Sequence, residues 1–199
     1  MITRFAGRCL AAALGIALLA APAHAQKQLK DLTKAQEDEL YCVYNDIADG
    51  KDFDVIAESY VYTDQSAEDS RKADAALAAA AGRCATKYGW TDSKKGIASN
   101  IGFYGTAVDY LTEDLFFSGV DDKDIDKVFA ILDTLSEADL DAFYKGTWMK
   151  NEPMKARLVT ALKGAGVPND DYTLETGEYV LEASVFAADA LFEWLDNVK

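Results

Sequence analysis

Histidine is nearly absent from this chain. The single one, His24, lies in an N-terminal stretch with the pattern of a removable export signal, so residues 26–199 contain none. That excludes Ser-His-Asp and Cys-His catalysis, and every metal site that needs an imidazole ligand. Haem attachment through a C-x-x-C-H motif is excluded as well, because the motif is missing. Cysteine is scarce: Cys9, Cys42 and Cys84 are the three. Basic residues are outnumbered, with 20 Lys and Arg against 34 Asp and Glu, for a formal net charge of −14. Losing residues 1–25 removes Arg4 and Arg8 and no acid, which takes the charge to −16. A surface that negative repels nucleic acid and anionic lipid headgroups. It suits a cationic protein, a basic peptide or a divalent ion. The plainer reading is that the charge keeps an exported protein in solution.

A long apolar run is missing too. The one apolar stretch, Cys9 to Ala21, is too short and too soon followed by polar sequence to span a membrane. Arg4 and Arg8 precede it, Pro22 breaks it, and Ala23-His24-Ala25 is a small-x-small cleavage site. The pattern predicts export to a periplasm or beyond, with cleavage after Ala25 and no stable membrane anchor. Residues 26–199 then form one domain.

What is present is helical. Thr33 to Gln36 fits a capping box, and Leu40, Val43, Tyr44 and Ile47 recur at helical spacing up to Asp49-Gly50. A short helix follows at about Asp52 to Tyr60, with Phe53, Ile56 and Tyr60 on one side. Tyr60 to Thr63 is β-prone and allows a brief strand. Ser66 starts an alanine-rich helix to Tyr88, with Leu77, Ala81, Cys84 and Tyr88 on one face and Gly89 as its end. The next runs from Thr91 to Phe117 on a stripe of Ile97, Ile101, Tyr104, Val108, Leu111 and Leu115. Asp121 and Ser136 cap two more, the second with Leu140, Phe143 and Tyr144 on its buried side. Asn151-Glu152-Pro153 opens another that ends at Gly164-Ala165-Gly166. Val167 to Glu175 reads as an irregular connector, and Thr176 as the start of the last helix. That helix shows Leu181, Val185, Ala188, Leu191, Phe192 and Leu195 to the core. Glu178, Glu182, Asp189, Glu193 and Asp196 take the opposite face. Leu32 to Tyr41 echoes Leu135 to Tyr144, and shared helix-start chemistry predicts much of that echo.

Four features carry the candidate sites. Cys42 and Cys84 in an exported chain read as a single disulfide; as free thiols they would have no histidine to activate them. Projection around the first helix puts Cys42 on its outer, acidic side, so the bond should attach the alanine-rich helix there. Ala98, Gly102 and Gly105 form a flat face, suited to close packing of another helix or to a ligand against bare backbone. Asp122, Asp124 and Asp126 have the spacing of the first ligands of a calcium loop. Lys127 stands where that loop needs Gly, and Asp133 where it needs Glu, so these acids read as a helix first turn. Carboxylates are plentiful enough for a glycosidase-like pair. No acid stands in an aromatic-rich stretch, however, and Trp90, Trp148 and Trp194 are scattered.

The expected fold is all-α: a single-domain irregular bundle of six to eight helices pinned by one disulfide. The expected role is non-catalytic, binding or buffering another periplasmic component, with no cofactor. A basic protein or peptide is the partner class that fits. The rival readings are a histidine-free carboxylate hydrolase and an inhibitor or immunity-type protein that masks a basic partner.

Overall fold

The computed structural model describes residues 29, 31–62 and 66–197. The expected export signal, residues 1–25, lies outside them. Among the described residues there are nine α-helices and no strand. In chain order they are α1 (Lys34–Leu40), α2 (Cys42–Ala48), α3 (Phe53–Val61), α4 (Ala67–Tyr88), α5 (Asp92–Phe117), α6 (Asp122–Ala130), α7 (Glu137–Tyr144), α8 (Glu152–Ala165) and α9 (Asp171–Asn197). Short 3₁₀ turns occupy Ile131–Thr134 and Trp148–Lys150. The fold is an all-α, single-domain bundle.

Local chemistry starts most of these helices. The side chains of Thr33, Ser66, Thr91, Asp121, Ser136 and Asn151 each accept a backbone N–H of the first turn that follows. Thr33 with Gln36, and Ser136 with Asp139, complete full capping boxes. Each such cap contributes about 1 kcal/mol. Gly89, at φ 69°, ends α4 in the left-handed conformation, and the Trp90 N–H folds back to the Ala85 carbonyl at 3.1 Å.

Three boundaries differ from the sequence pattern. The first expected helix divides at Tyr41, whose ψ of 10° leaves the helical range, so α1 and α2 are separate elements. Tyr60 and Val61 are helical; Tyr62 alone is extended, and Thr63 lies outside the described residues. The last helix starts at Asp171, not at Thr176. Asp170 explains this, because its carboxylate accepts the Thr173 N–H at 2.9 Å and so caps the helix a turn early. The Thr176 hydroxyl bonds instead to the Tyr172 carbonyl inside the helix.

α5 and α9 make the most extensive packing in the molecule. They are antiparallel. α5 begins in a cluster with Leu40, Val43, Tyr44, Ile56 and Trp194, and ends in one with Phe129, Phe143, Trp148 and Leu162; α9 runs back between the same two clusters. α2, α3 and α4 cover one end of this pair, and α6, α7 and α8 the other. Tyr144, expected inward, is 46% exposed.

The Cys42–Cys84 disulfide joins α2 to α4 with Cα atoms 6.0 Å apart. Cys84 is buried and Cys42 half-buried. Beside the bond, the Arg83 guanidinium pairs with the Asp46 carboxylate, so α4 is attached to the acidic side of α2.

The internal glycines of α5 are not equivalent. A Cβ at Gly102 would lie 2.6 Å from Val43 Cγ1 and 3.3 Å from the Tyr44 nitrogen. A Cβ at Gly96 would meet nothing within 4 Å. Gly96→Ala should therefore stabilise the protein by up to about 1 kcal/mol through helix propensity. Gly102→Ala should lose that gain to overpacking that costs about 1–3 kcal/mol. Urea unfolding of the two variants checks the difference, and equal effects would refute the close approach.

Candidate functional site

α9 is the element the sequence pattern misjudges. It is enclosed on several sides, by α5 and by the layer of α7, α8 and the Trp148 turn. Glu178 is only 2% exposed and Glu182 only 9%, although both were expected on a solvated face. The signal for this was present. Between Gly177 and Ala188 these two glutamates are the only charged residues, so the segment is apolar nearly all round, which marks a buried helix.

Burial of a carboxylate demands partners. Glu182 has them. The Trp148 indole N–H donates to one oxygen at 2.5 Å, and the Tyr60 hydroxyl donates to the other at 2.9 Å. Glu178 is less well served. Its Oε2 stands 3.7 Å from the Lys155 ammonium, and its Oε1 has no hydrogen-bond partner among the described residues. Burial pushes the Glu178 carboxyl above its ordinary pKa, and Lys155 draws it part of the way back. Burial and the Glu182 charge push the Tyr60 hydroxyl far upward, so it remains a donor.

Around these acids runs a row of aromatic rings. Tyr104 stacks on Phe186 at 5.0 Å, and Phe186 meets Tyr144 at 5.7 Å. Tyr60 and Phe103 also meet Tyr104 edge-on, at 6.0 and 5.2 Å. Trp148 meets Tyr179 edge-on at 5.7 Å, and the Tyr179 hydroxyl reaches Met149 Sδ at 3.8 Å. The row opens to solvent at Tyr144 and Met149, each 46% exposed, with Tyr179, Phe186, Tyr104 and Phe103 half-buried behind them. Glu175, Glu178, Glu182 and Asp189 recur along one side of α9 at helical spacing and line this row. Asp189 meets the Tyr144 hydroxyl, and its charge helps burial raise that group's pKa. Comparison with known proteins finds no matching family model, no similar curated protein and no similar solved structure. The site's own chemistry therefore carries the functional reading.

The residues singled out from sequence lie elsewhere. Ala98 and Gly102 are buried, with Gly102 against Val43 and Tyr44 of α2, and Gly105 is buried one turn on. The same side of α5 continues into Asp109 and Thr112. Tyr44 donates its hydroxyl to Asp109 Oδ2. Asp109 Oδ1 and Thr112 Oγ1 have no hydrogen-bond partner among the described residues. Burial, opposed by Tyr44 and assisted by Glu113, raises the Asp109 carboxyl from 3.8 to about 6. Asp122, Asp124 and Asp126 spread around the first turns of α6, with Asp124 held by Lys127 at 2.5 Å. Among the described residues no three His, Cys, Asp or Glu side chains gather as a metal site. No helix among them is long and apolar enough to cross a membrane.

The α9 row can attract a cation in two ways. Ring faces carry negative quadrupole potential, and carboxylates behind them add charge in a low-dielectric setting. Acid–base attack on a substrate is a poorer fit. Both Glu182 oxygens are occupied, and neither glutamate stands free at the surface.

Proposed function

We propose that this is an exported, non-catalytic binding protein that takes a basic protein or peptide on the aromatic row of α9. The observation that supports it most is the pairing of half-open rings, Tyr144, Phe186 and Tyr104, with buried Glu182 behind them and exposed Asp189 beside them. An apolar, polarisable surface backed by negative charge favours side chains that are both apolar in their stems and cationic at their tips. The net charge of −16 after removal of residues 1–25 would steer such a partner in from a distance. Masking a basic partner, as an inhibitor or immunity-type protein does, is one form of this role. The N-terminal signal pattern supports an encounter in a periplasm or outside the cell, after cleavage following Ala25.

A lysine-rich peptide titrated onto residues 26–199 tests the reading by calorimetry at low and high salt. Binding should be measurable at low salt and weaken at high salt. The double variant Tyr144→Ser, Phe186→Ala should weaken it about tenfold, the size of one or two cation–π contacts. Circular dichroism confirms that the variant is folded. No binding at low salt, or binding indifferent to the double substitution, rejects the proposal.

A further inference from the structure

We infer that Glu178 is the point at which the α9 face captures a primary ammonium group, and that Lys155 is its internal stand-in. This deepens the binding reading above and rests on it. Glu178, Trp148, Tyr179 and Lys155 share one place. The Lys155 ammonium is 3.7 Å from Glu178 Oε2 and 6.0 Å from the Trp148 ring centroid, and the Trp148 and Tyr179 rings are 5.7 Å apart. Carboxylate, indole face and phenol together are the groups that recognise an ammonium.

Lys155 fills this place incompletely. Its distance to Glu178 exceeds hydrogen-bond range, and Glu178 Oε1, on a side chain only 3% exposed, has no partner among the described residues. A buried carboxylate oxygen without a donor is costly, so a better-placed ammonium is favoured there. The Lys155 side chain is 36% exposed and comes from α8, so it can swing outward without disturbing α9. Met149, 46% exposed, and half-buried Tyr179 are the neighbours of buried Trp148 that reach solvent here. A lysine side chain or free amino terminus of the partner would displace Lys155, donate to both Glu178 oxygens and lie against Trp148. A guanidinium could also bridge the two carboxylate oxygens, but it is broader than the ammonium that Lys155 holds at this place, so an arginine-rich peptide is the competitor to compare.

Three variants of residues 26–199 test this with a lysine-rich peptide, its fully acetylated form and an arginine-rich peptide of equal length. Glu178→Gln keeps the shape and removes the charge; it should weaken lysine-peptide binding about tenfold. Lys155→Met keeps the stem over Trp148 and removes the competing cation. It should tighten lysine-peptide binding by a similar factor, and the peptide should raise its melting temperature more than it raises that of the unsubstituted protein. The acetylated peptide should not bind, and the arginine-rich one should bind less tightly. If the lysine peptide binds, responds to Tyr144→Ser with Phe186→Ala, but ignores both Glu178→Gln and Lys155→Met, the inference fails and the binding face stands. Equal binding of the acetylated or arginine-rich peptide also overturns it. If no peptide binds the unsubstituted protein, both readings fall.

Discussion

Replacing Cys42 and Cys84 together by alanine should lower the free energy of unfolding by about 4 kcal/mol, from the loop-closure entropy of a bond spanning 42 residues. The reason lies chiefly in the unfolded chain. The bond closes a loop holding α2, α3 and most of α4, and without it the denatured ensemble gains all the conformations the loop forbade. The native state adds a smaller cost of its own, because Cys84 is buried in the cluster at this end of the molecule and Cys42 packs half-buried against it. The Arg83–Asp46 pair remains beside it, though an ion pair this exposed adds little. Urea unfolding checks both parts. The midpoint should fall, and the denaturant slope should rise as the unfolded chain expands. A loss under about 1 kcal/mol would mean that the reduced chain keeps its own compact structure.

Asp109→Asn should stabilise the protein at neutral pH by as much as about 3 kcal/mol and should have little effect near pH 4. Asp109 is buried, accepts the Tyr44 hydroxyl among the described residues, and has its carboxyl raised from 3.8 to about 6. A folded pKa above the unfolded one means that the native state holds the proton more tightly. Stability from this group is therefore fully present below about pH 4 and is lost as pH rises through about 6. Asparagine is neutral at every pH, still accepts the Tyr44 hydroxyl through its oxygen, and offers an N–H on the side where Thr112 lies one turn on. The Glu178 carboxyl, also raised by burial, slopes the same way. Asp139 slopes oppositely: the Ser136 bonds and Arg157 outweigh its desolvation and lower its pKa, so its contribution is lost only in more acid solution. Thermal melts from pH 4 to 8 check the prediction. Parallel profiles for the variant and the unsubstituted protein would show that Asp109 is charged at no cost in the fold.

Much of the architecture is legible in residues a few positions apart. Thr33 with Gln36 and Ser136 with Asp139 build their caps from neighbours in sequence, so no distant contact is needed to find those helix starts. Leu40, Val43, Tyr44 and Ile47 are buried as their spacing requires, even though Tyr41 divides the helix between them. Cys42 and Cys84, the two cysteines outside the N-terminal signal pattern, left one pairing to draw. The starts that depended on competing caps were harder. Thr176 and Asp170 both suit a helix start, and only the structure shows Asp170 holding the Thr173 N–H.

The candidate site was not legible in the same way. Glu178 and Glu182 sit at positions that a single-face helix gives to solvent, and local spacing has no means of counting how many neighbours a helix will acquire. Chain order placed Tyr60, Trp148 and Lys155 far from them, on α3, a 3₁₀ turn and α8. The sequence by itself determined the helical class, the caps, the disulfide partners and the acidic charge, because each follows from residue type or short-range spacing. Only the tertiary structure decided that α9 is enclosed by α5 on one side and by the α7–α8 layer on the other. That enclosure takes two carboxylates out of water and sets aromatic rings around them, and burial of that kind is a property of the whole packing, not of any one helix.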